Sequence, residues 1–330
     1  MREIKVSVIC LAYNHEAYIR DALEGFVTQQ TDFAYEVLVH DDASTDRTAE
    51  IIREYEKKYP DLINVIYQTK NQYSQGVNIG IEFLWPKVKG KYIAYCEGDD
   101  YWVSPHKLQR QYEALEQHPG LDICAHSSWI LTRDGTMQES AVSASDTILT
   151  AEQVIAGNGD YVSTNSLMYR AVINHNMPAF RKKFDYDYTL QIHGSLRGGM
   201  YYLSEPMSVY RACAAGSWSE NVSRNLQVKI EHHLRMLEML DCLDCDTNYR
   251  YSEAVERAQY IYKRGLAFLE KDISWIREER LYRESGLHSK ISFYVGCRFP
   301  RLHKKAVDIY RFILKHRNRI KMKEALRDKE

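Results

Sequence analysis

No apolar run in this 330-residue sequence approaches the roughly 20 residues an α-helix needs to cross a bilayer, so a helical membrane-spanning protein is not expected. A charge bias is lacking too. Forty-four Lys and Arg stand against 45 Asp and Glu, which removes the global field of a protein that binds nucleic acid across its surface. Cysteine is scattered and odd in number: Cys10, Cys96, Cys124, Cys213, Cys242, Cys245 and Cys297. Such a scatter builds no disulfide framework and suits a reducing compartment. Cys242 and Cys245 form one C-x-x-C, but no second Cys or His pair stands at zinc-ligand spacing. The charged and apolar regions of a signal peptide are missing before the first strand, and the expected location is cytoplasmic. Repeats and low-complexity linkers are absent.

What is present is an alternation of patterns. Residues 6–12, Val-Ser-Val-Ile-Cys-Leu-Ala, read as a strand covered on both faces. Asn14 is placed to cap a helix over 16–29, and residues 35–40 read as a second strand ending at Asp41-Asp42. A helix opening at Ser44-Thr45-Asp46 carries Ile51, Ile52 and Tyr55 and ends before Pro60; residues 63–67 form a third strand. A shorter helix around 78–84 leads to a fourth strand, 92–96, that runs into Glu97-Gly98-Asp99-Asp100. Strands alternating with helices imply a mostly parallel sheet, which binds ligands beyond the carboxyl ends of its strands. Asp41, Asp42 and the Glu97 cluster share that edge. From 121 to 211 the alternation loosens into short elements expected to complete the sheet and wall a cleft, and beyond about 219 the chain reads as long helices.

The carboxylates of Glu97-Gly98-Asp99-Asp100 repel one another unless something positive joins them. A divalent cation, Mg²⁺ or Mn²⁺, bound by one or two carboxylates and by substrate phosphates, satisfies that requirement. Gly98 allows close backbone approach. The plain alternative is an acidic turn opening a helix. Asp41 or Asp42, at a strand tip, suits the imide N–H of a uracil or thymine ring, whereas Ser44 and Asp46 read better as turn and cap residues.

Val6-Ser7-Val8-Ile9 with Tyr13-Asn14, then His40-Asp41-Asp42-Ala43-Ser44-Thr45-Asp46, then Glu97-Gly98-Asp99-Asp100-Tyr101-Trp102, resemble the family 2 glycosyltransferases in order and spacing over about residues 4–215. The resemblance implies an α/β GT-A fold: a Rossmann-like, mostly parallel sheet flanked by helices. It also implies a nucleotide-diphosphate sugar donor, a divalent cation, and transfer with inversion. It divides the chain into a catalytic domain, 1–218, with a nucleotide-sugar half of about 1–103 and an acceptor half of about 104–218, and a helical region, 219–330.

Carried over by position, Asp42 with Asp41 contacts the base, and Leu11, Ala12 and Tyr13 line the nucleotide pocket. Glu97 and Gly98 lie against the donor, and Asp99 or Asp100 binds the metal. The donor-side loop, Asn71-Gln72-Tyr73-Ser74-Gln75-Gly76, lacks the family's basic residue, for which Lys70 is the nearest candidate. Phe184-Asp185-Tyr186-Asp187-Tyr188 resembles the segment that supplies the general base: Asp187 first, Asp185 second. Met207-Ser208-Val209-Tyr210-Arg211 resembles the closing Tyr-Arg motif, but Cys213 stands where many relatives carry His. Ser217-Trp218-Ser219 resembles a flap over the donor.

From Arg298 onward twelve Lys/Arg face four Asp/Glu, and Leu302, Ala306, Ile309 and Ile313 fall on one helical stripe. This basic amphipathic segment, 300–323, either lies on an anionic membrane surface, the cytoplasmic face of the inner membrane, or packs on the catalytic domain. The expected activity is transfer from a UDP- or dTDP-sugar to a saccharide or lipid-linked acceptor in surface polysaccharide synthesis. The alternatives are a sugar nucleotidyltransferase, against which the glycine-free loop after the first strand argues, and a degenerate carbohydrate-binding protein.

Overall fold

The computed structural model describes residues 3–299 except Asp185, Cys213 and Ala215. The first half alternates as its patterns require: β1 (Ile4–Ala12), α1 (Ile19–Val27), β2 (Ala34–Asp41), α2 (Thr48–Lys58), β3 (Ile63–Tyr67), a π-helical turn (Gly80–Leu84) and β4 (Tyr92–Tyr95). β1 pairs in parallel with both β2 and β4, and β2 with β3. Ile19, Ala22, Leu23 and Phe26 on α1, and Thr48, Ile51, Ile52 and Tyr55 on α2, repeat i, i+3, i+4, i+7 and are all buried. That stripe lets each helix cover the sheet.

The remainder of the sheet is mixed. After β5 (Tyr101–Trp102) and α3 (Lys107–Gln117) come β6 (Ile123–Leu131), β7 (Met137–Ser140), β8 (Thr147–Leu149), α4 (Ala151–Ala156) and β9 (Met168–Arg170). Then follow α5 (Ala179–Lys183), α6 (Asp187–Ser195), β10 (Met200–Arg211) and α7 (Trp218–Arg224). Among the described residues one sheet forms in the order β3-β2-β1-β4-β9-β6-β10-β5, with β7 against β6 and β8 against β10. β9 is antiparallel to both neighbours, and β10 is parallel to β6 but antiparallel to β5, setting Val209 opposite Tyr101. The strand carrying Tyr210-Arg211 is thus drawn beside the chain leaving Asp100. Trp102 seals the joint, its ring edge-on to Phe26 at 4.8 Å between centroids.

The C-terminal elements are helical: α8 (Leu226–Asp246), α9 (Ser252–Glu270), α10 (Arg280–Glu284) and α11 (Leu287–Arg298). The described residues divide into two compact units, one of residues up to 228 with 238–258, the other of 229–237 with 259–299. The second has its own small core of Ala267, Ile276, Phe293 and Cys297.

Two helices start later than their sequence suggests. α1 begins at Ile19 rather than near Glu16, because Asn14 takes a left-handed conformation (φ 55°) and spends its side chain on the neighbouring loop, leaving no cap. α2 begins at Thr48: Ser44 answers that loop from the other side, and Asp46 divides its carboxylate, Oδ2 accepting Glu16 N across the loops and Oδ1 accepting Thr48 N at 2.9 Å at the start of its own helix.

Candidate active site

In parallel strands all carboxyl ends lie on one edge. That edge therefore collects Tyr13 after β1, Asp42 after β2, Lys70 beyond β3 and Glu97 to Asp100 after β4.

The loops after β1 and β2 are clasped together. Asn14 N donates to Ser44 Oγ (3.0 Å), Thr45 N to Asn14 Oδ1 (2.8 Å), His15 N to Thr48 Oγ1 (2.7 Å), Glu16 N to Asp46 Oδ2 (3.0 Å) and Arg47 N to Glu16 Oε2 (3.0 Å). Leu11 and Ala12 contribute carbonyls: Leu11 O accepts from Gly98 N (2.8 Å) and Ala12 O from Asp42 N (2.9 Å). Tyr13 is exposed beside them.

The adjacent aspartates differ in employment. Both oxygens of Asp42 accept backbone amides, Gln72 N at 2.7 Å and Tyr73 N at 3.0 Å, so Asp42 organises the loop that follows Lys70. Asp41, equally buried, keeps Oδ1 without a hydrogen-bond partner. A buried carboxylate oxygen with no donor is costly, and its site suits a ligand N–H. Lys70 is exposed.

The acidic motif shows the same division. Asp100, 1 % exposed, accepts Arg211 N (2.8 Å) on one oxygen and Asn165 Nδ2 (3.0 Å) on the other. The Arg211 guanidinium donates to Asp99 O (2.7 Å), pairs with Asp21, and lies 4.4 Å from the Tyr101 ring centroid. Among the described residues no donor reaches the carboxylates of Glu97 or Asp99, which are the open members. Gly98 fits because a Cβ there would lie 2.8 Å from His15 Nδ1 and 2.9 Å from Ile19 Cδ1.

Asp187 opens α6. Its Oδ1 accepts Tyr188 N (2.7 Å) and its Oδ2 the Thr164 hydroxyl. Burial raises the pKa of this carboxyl, with Asp160 adding to the effect and the Thr164 and Tyr188 bonds opposing it. Burial, then Asp99 and Asp187, push Glu97 up to about 8. Asp100 is raised well above the carboxylate range by burial and Asp99, against the pull of the Arg211 amide. Four carboxyls thus bear on one space, together with the Tyr210 phenol, which feels Asp100, Glu97 and Asp187.

This donor set fits a hard divalent cation shared with a diphosphate: open carboxylate oxygens among carboxyls whose proton affinity is raised by burial and by one another. Among the described residues no three His, Cys, Asp or Glu side chains gather into a metal site of their own. The substrate phosphates would have to supply the other ligands.

Asp185, Cys213 and the basic segment 300–323 lie outside the described residues. Sequence reasoning passed over Thr164, Asn165 and His15. The available signal was Ser163-Thr164-Asn165-Ser166, a run of small polar residues directly before the apolar Leu167-Met168.

Residues 7–176 match the profile of glycosyl transferase family 2. An uncharacterised Mycobacterium tuberculosis protein is 36% identical over 215 residues, 64% of this chain and 60% of that protein, so the chain spans less than two thirds of that relative's length. The poly(ribitol-phosphate) beta-glucosyltransferase of Bacillus spizizenii is 34% identical over 118 residues, 35% of this chain and 18% of that enzyme. Among solved structures, Staphylococcus aureus TarS residues 1–349 superpose with a TM-score of 0.57 at 18% identity, covering 89% of this chain and 79% of that one, a likeness of fold. With the mixed α/β sheet, its flanking helices and the acidic edge in place, the chain has the GT-A fold and belongs to glycosyl transferase family 2.

Proposed function

We propose that the protein transfers a sugar, with inversion, from a UDP- or dTDP-sugar to a saccharide or lipid-linked acceptor during surface polysaccharide synthesis. The observation that carries this reading is the pair of open carboxylates, Glu97 and Asp99, on the ligand-binding edge, electrostatically linked to Asp187. Asp41 would accept the imide N–H of the base through its unpartnered oxygen. Asp42 would shape the Lys70–Gly76 side of the pocket through Gln72 and Tyr73. Leu11, Ala12 and Tyr13 would line it, Lys70 would face the diphosphate, and Glu97 the ribose. Asp99 would hold the divalent cation, which when bound neutralises charge on the leaving diphosphate. Asp100 would support Asp99 from behind, its own oxygens being occupied.

Asp187, oriented by Thr164 and the Tyr188 amide, would take the acceptor hydroxyl proton. Its raised proton affinity suits a base that must hold that proton through the transfer. The likeness in fold to TarS, which binds UDP-GlcNAc and UDP, supports a uridine donor, and the similarity to the Bacillus poly(ribitol-phosphate) beta-glucosyltransferase supports a polymer as acceptor. No helix of the described residues is long and apolar enough to cross a membrane. The basic segment 300–323 would bring the site to an anionic lipid surface, where lipid-linked acceptors reside.

Calorimetric titration with UDP, dTDP and GDP, each with and without Mn²⁺, tests the donor site. One nucleotide should bind in a metal-dependent way, with loss in chelator and in Asp99→Ala. Full-strength binding in chelator, or in Asp99→Ala, would refute the assignment.

A further inference from the structure

We infer that the single turn Thr164-Asn165-Ser166 is a positioning element that fixes the base-bearing helix and the acidic motif to one another. The inference rests on the reading of Asp187 as the base. Adjacent residues of this turn grip the two halves of the site. Thr164 donates its hydroxyl to Asp187 Oδ2, and the Tyr188 amide takes Oδ1 at 2.7 Å. A carboxylate offers about four lone-pair sites, so two remain for an acceptor hydroxyl.

Asn165, wholly buried, donates from Nδ2 to Asp100 Oδ2 and to Val209 O, both at 3.0 Å, and accepts the Ser208 hydroxyl on Oδ1 at 2.8 Å. Its backbone carbonyl accepts the Trp102 indole N–H at 3.0 Å. Both amide protons are thus spent, one of them on the acidic motif. The turn itself is held from below: Ser166 O accepts Gln111 Nε2 at 2.8 Å, and the chain enters β9, paired between β4 and β6.

Consecutive Cα atoms are about 3.8 Å apart. Through Thr164 and Asn165 the chain therefore transmits a short, stiff spacing between the carboxylate that would take the proton and the motif that would hold the leaving group. Neither residue is catalytic in the sense of touching the reacting atoms: Thr164 acts through Asp187, and Asn165 through Asp100 and the β10 strand. A misplacement of about 1 Å in such a pair costs on the order of a hundredfold in rate.

The test compares Thr164→Val, which keeps shape but removes the donor, with Thr164→Ser, which keeps the donor, beside Asp187→Ala. UDP binding with Mn²⁺ is measured by calorimetry, and UDP release from UDP-sugars, with water as acceptor, is followed against pH. Thr164→Val should hold UDP as wild type does, yet release it at least about tenfold more slowly. Its acidic limb should move up in pH, because a hydrogen bond favouring the carboxylate form is gone. Asp160, Glu97 and Tyr210 also bear on this space and are unchanged in the variant. Thr164→Ser should restore both rate and limb. Asn165→Leu should instead weaken metal-dependent UDP binding, since it strips Asp100 of one donor.

Normal rate and pH profile in Thr164→Val, beside an inactive Asp187→Ala, would overturn the positioning inference alone. So would equal losses of UDP binding and release rate. Undiminished release by Asp187→Ala would overturn the base assignment and this inference with it.

Discussion

At the scale of single residues, the division between open and occupied carboxylates decides what substitutions do. Asp100→Ala leaves the buried Asn165 Nδ2 short of one acceptor and the part-buried Arg211 amide without its own. Each buried group deprived of a partner costs about 1–3 kcal/mol, so this variant should melt well below wild type. Asp99→Ala removes a carboxylate that accepts no donor and crowds two neighbouring carboxyls, raising the proton affinity of each; its melting temperature should stay level or rise while metal-dependent nucleotide binding disappears. Thermal denaturation and titration of the pair check this, and a larger melting loss in Asp99→Ala would reverse the assignment. Gly98→Ala adds a methyl 2.8 Å from His15 Nδ1, an overpacking expected to cost about 1–3 kcal/mol. The sequence made Gly98 legible as a point of close approach. It did not reveal that the approaching groups are this chain's own His15, Ile19 and Leu11 carbonyl.

At the scale of elements, the loops matter as interlocked pairs. Asp42 holds the Gln72-Tyr73 segment by two amide hydrogen bonds, and Gly76, at φ 75°, ends that turn in the left-handed region that glycine tolerates. Asp42→Ala should loosen residues 70–76, measured as faster limited proteolysis there, and should weaken nucleotide affinity more than Lys70→Ala does. Equal proteolysis of variant and wild type would show the loop to be held by other means. Helices α1 and α2 were legible from their buried stripes, since Ile19, Ala22, Leu23 and Phe26 follow the helical period. Their first turns were not. Asn14 has the chemistry of a helix cap, yet the clasp between the two loops recruits it and local propensity yields to a partner about thirty positions away, while Asp46 serves both, one oxygen accepting Glu16 N across the clasp and the other Thr48 N at the start of its own helix.

At the scale of the whole molecule, stability should carry the signature of a buried lysine. Lys107 is wholly buried on α3, donates to Gln111 Oε1 at 2.7 Å and lies 4.1 Å from the Trp102 ring centroid, with no carboxylate paired to it among the described residues. Burial lowers its pKa to about 7, whereas an unfolded chain returns it to the ordinary lysine value of 10.5. Between those values the unfolded state binds the extra proton. Lysine's contribution to stability is therefore fully present above about 10.5 and is lost as pH falls toward 7. Lys107→Met should melt above wild type at pH 7, and the gap should narrow steadily toward pH 10. Melting curves of both proteins at pH 7, 8.5 and 10 decide it, and a constant gap would contradict it.

The sequence by itself determined the alternation of strands and helices, the edge on which the acidic residues gather and the family to which the chain belongs. Those properties are carried by residues near one another in the chain: a strand's apolar period, the stripe of the next helix, the acids at the strand's end. Only the tertiary structure decided which acids are free. Asp100 is occupied by Arg211, 111 positions later, and by Asn165, 65 positions later; Asp42 is occupied by the amide of Gln72, 30 positions later. A carboxylate's hydrogen bonds depend on which donors the packed sheet brings within 3 Å of it, and chemically identical neighbours such as Asp99 and Asp100 are separated by that and by nothing in their local sequence.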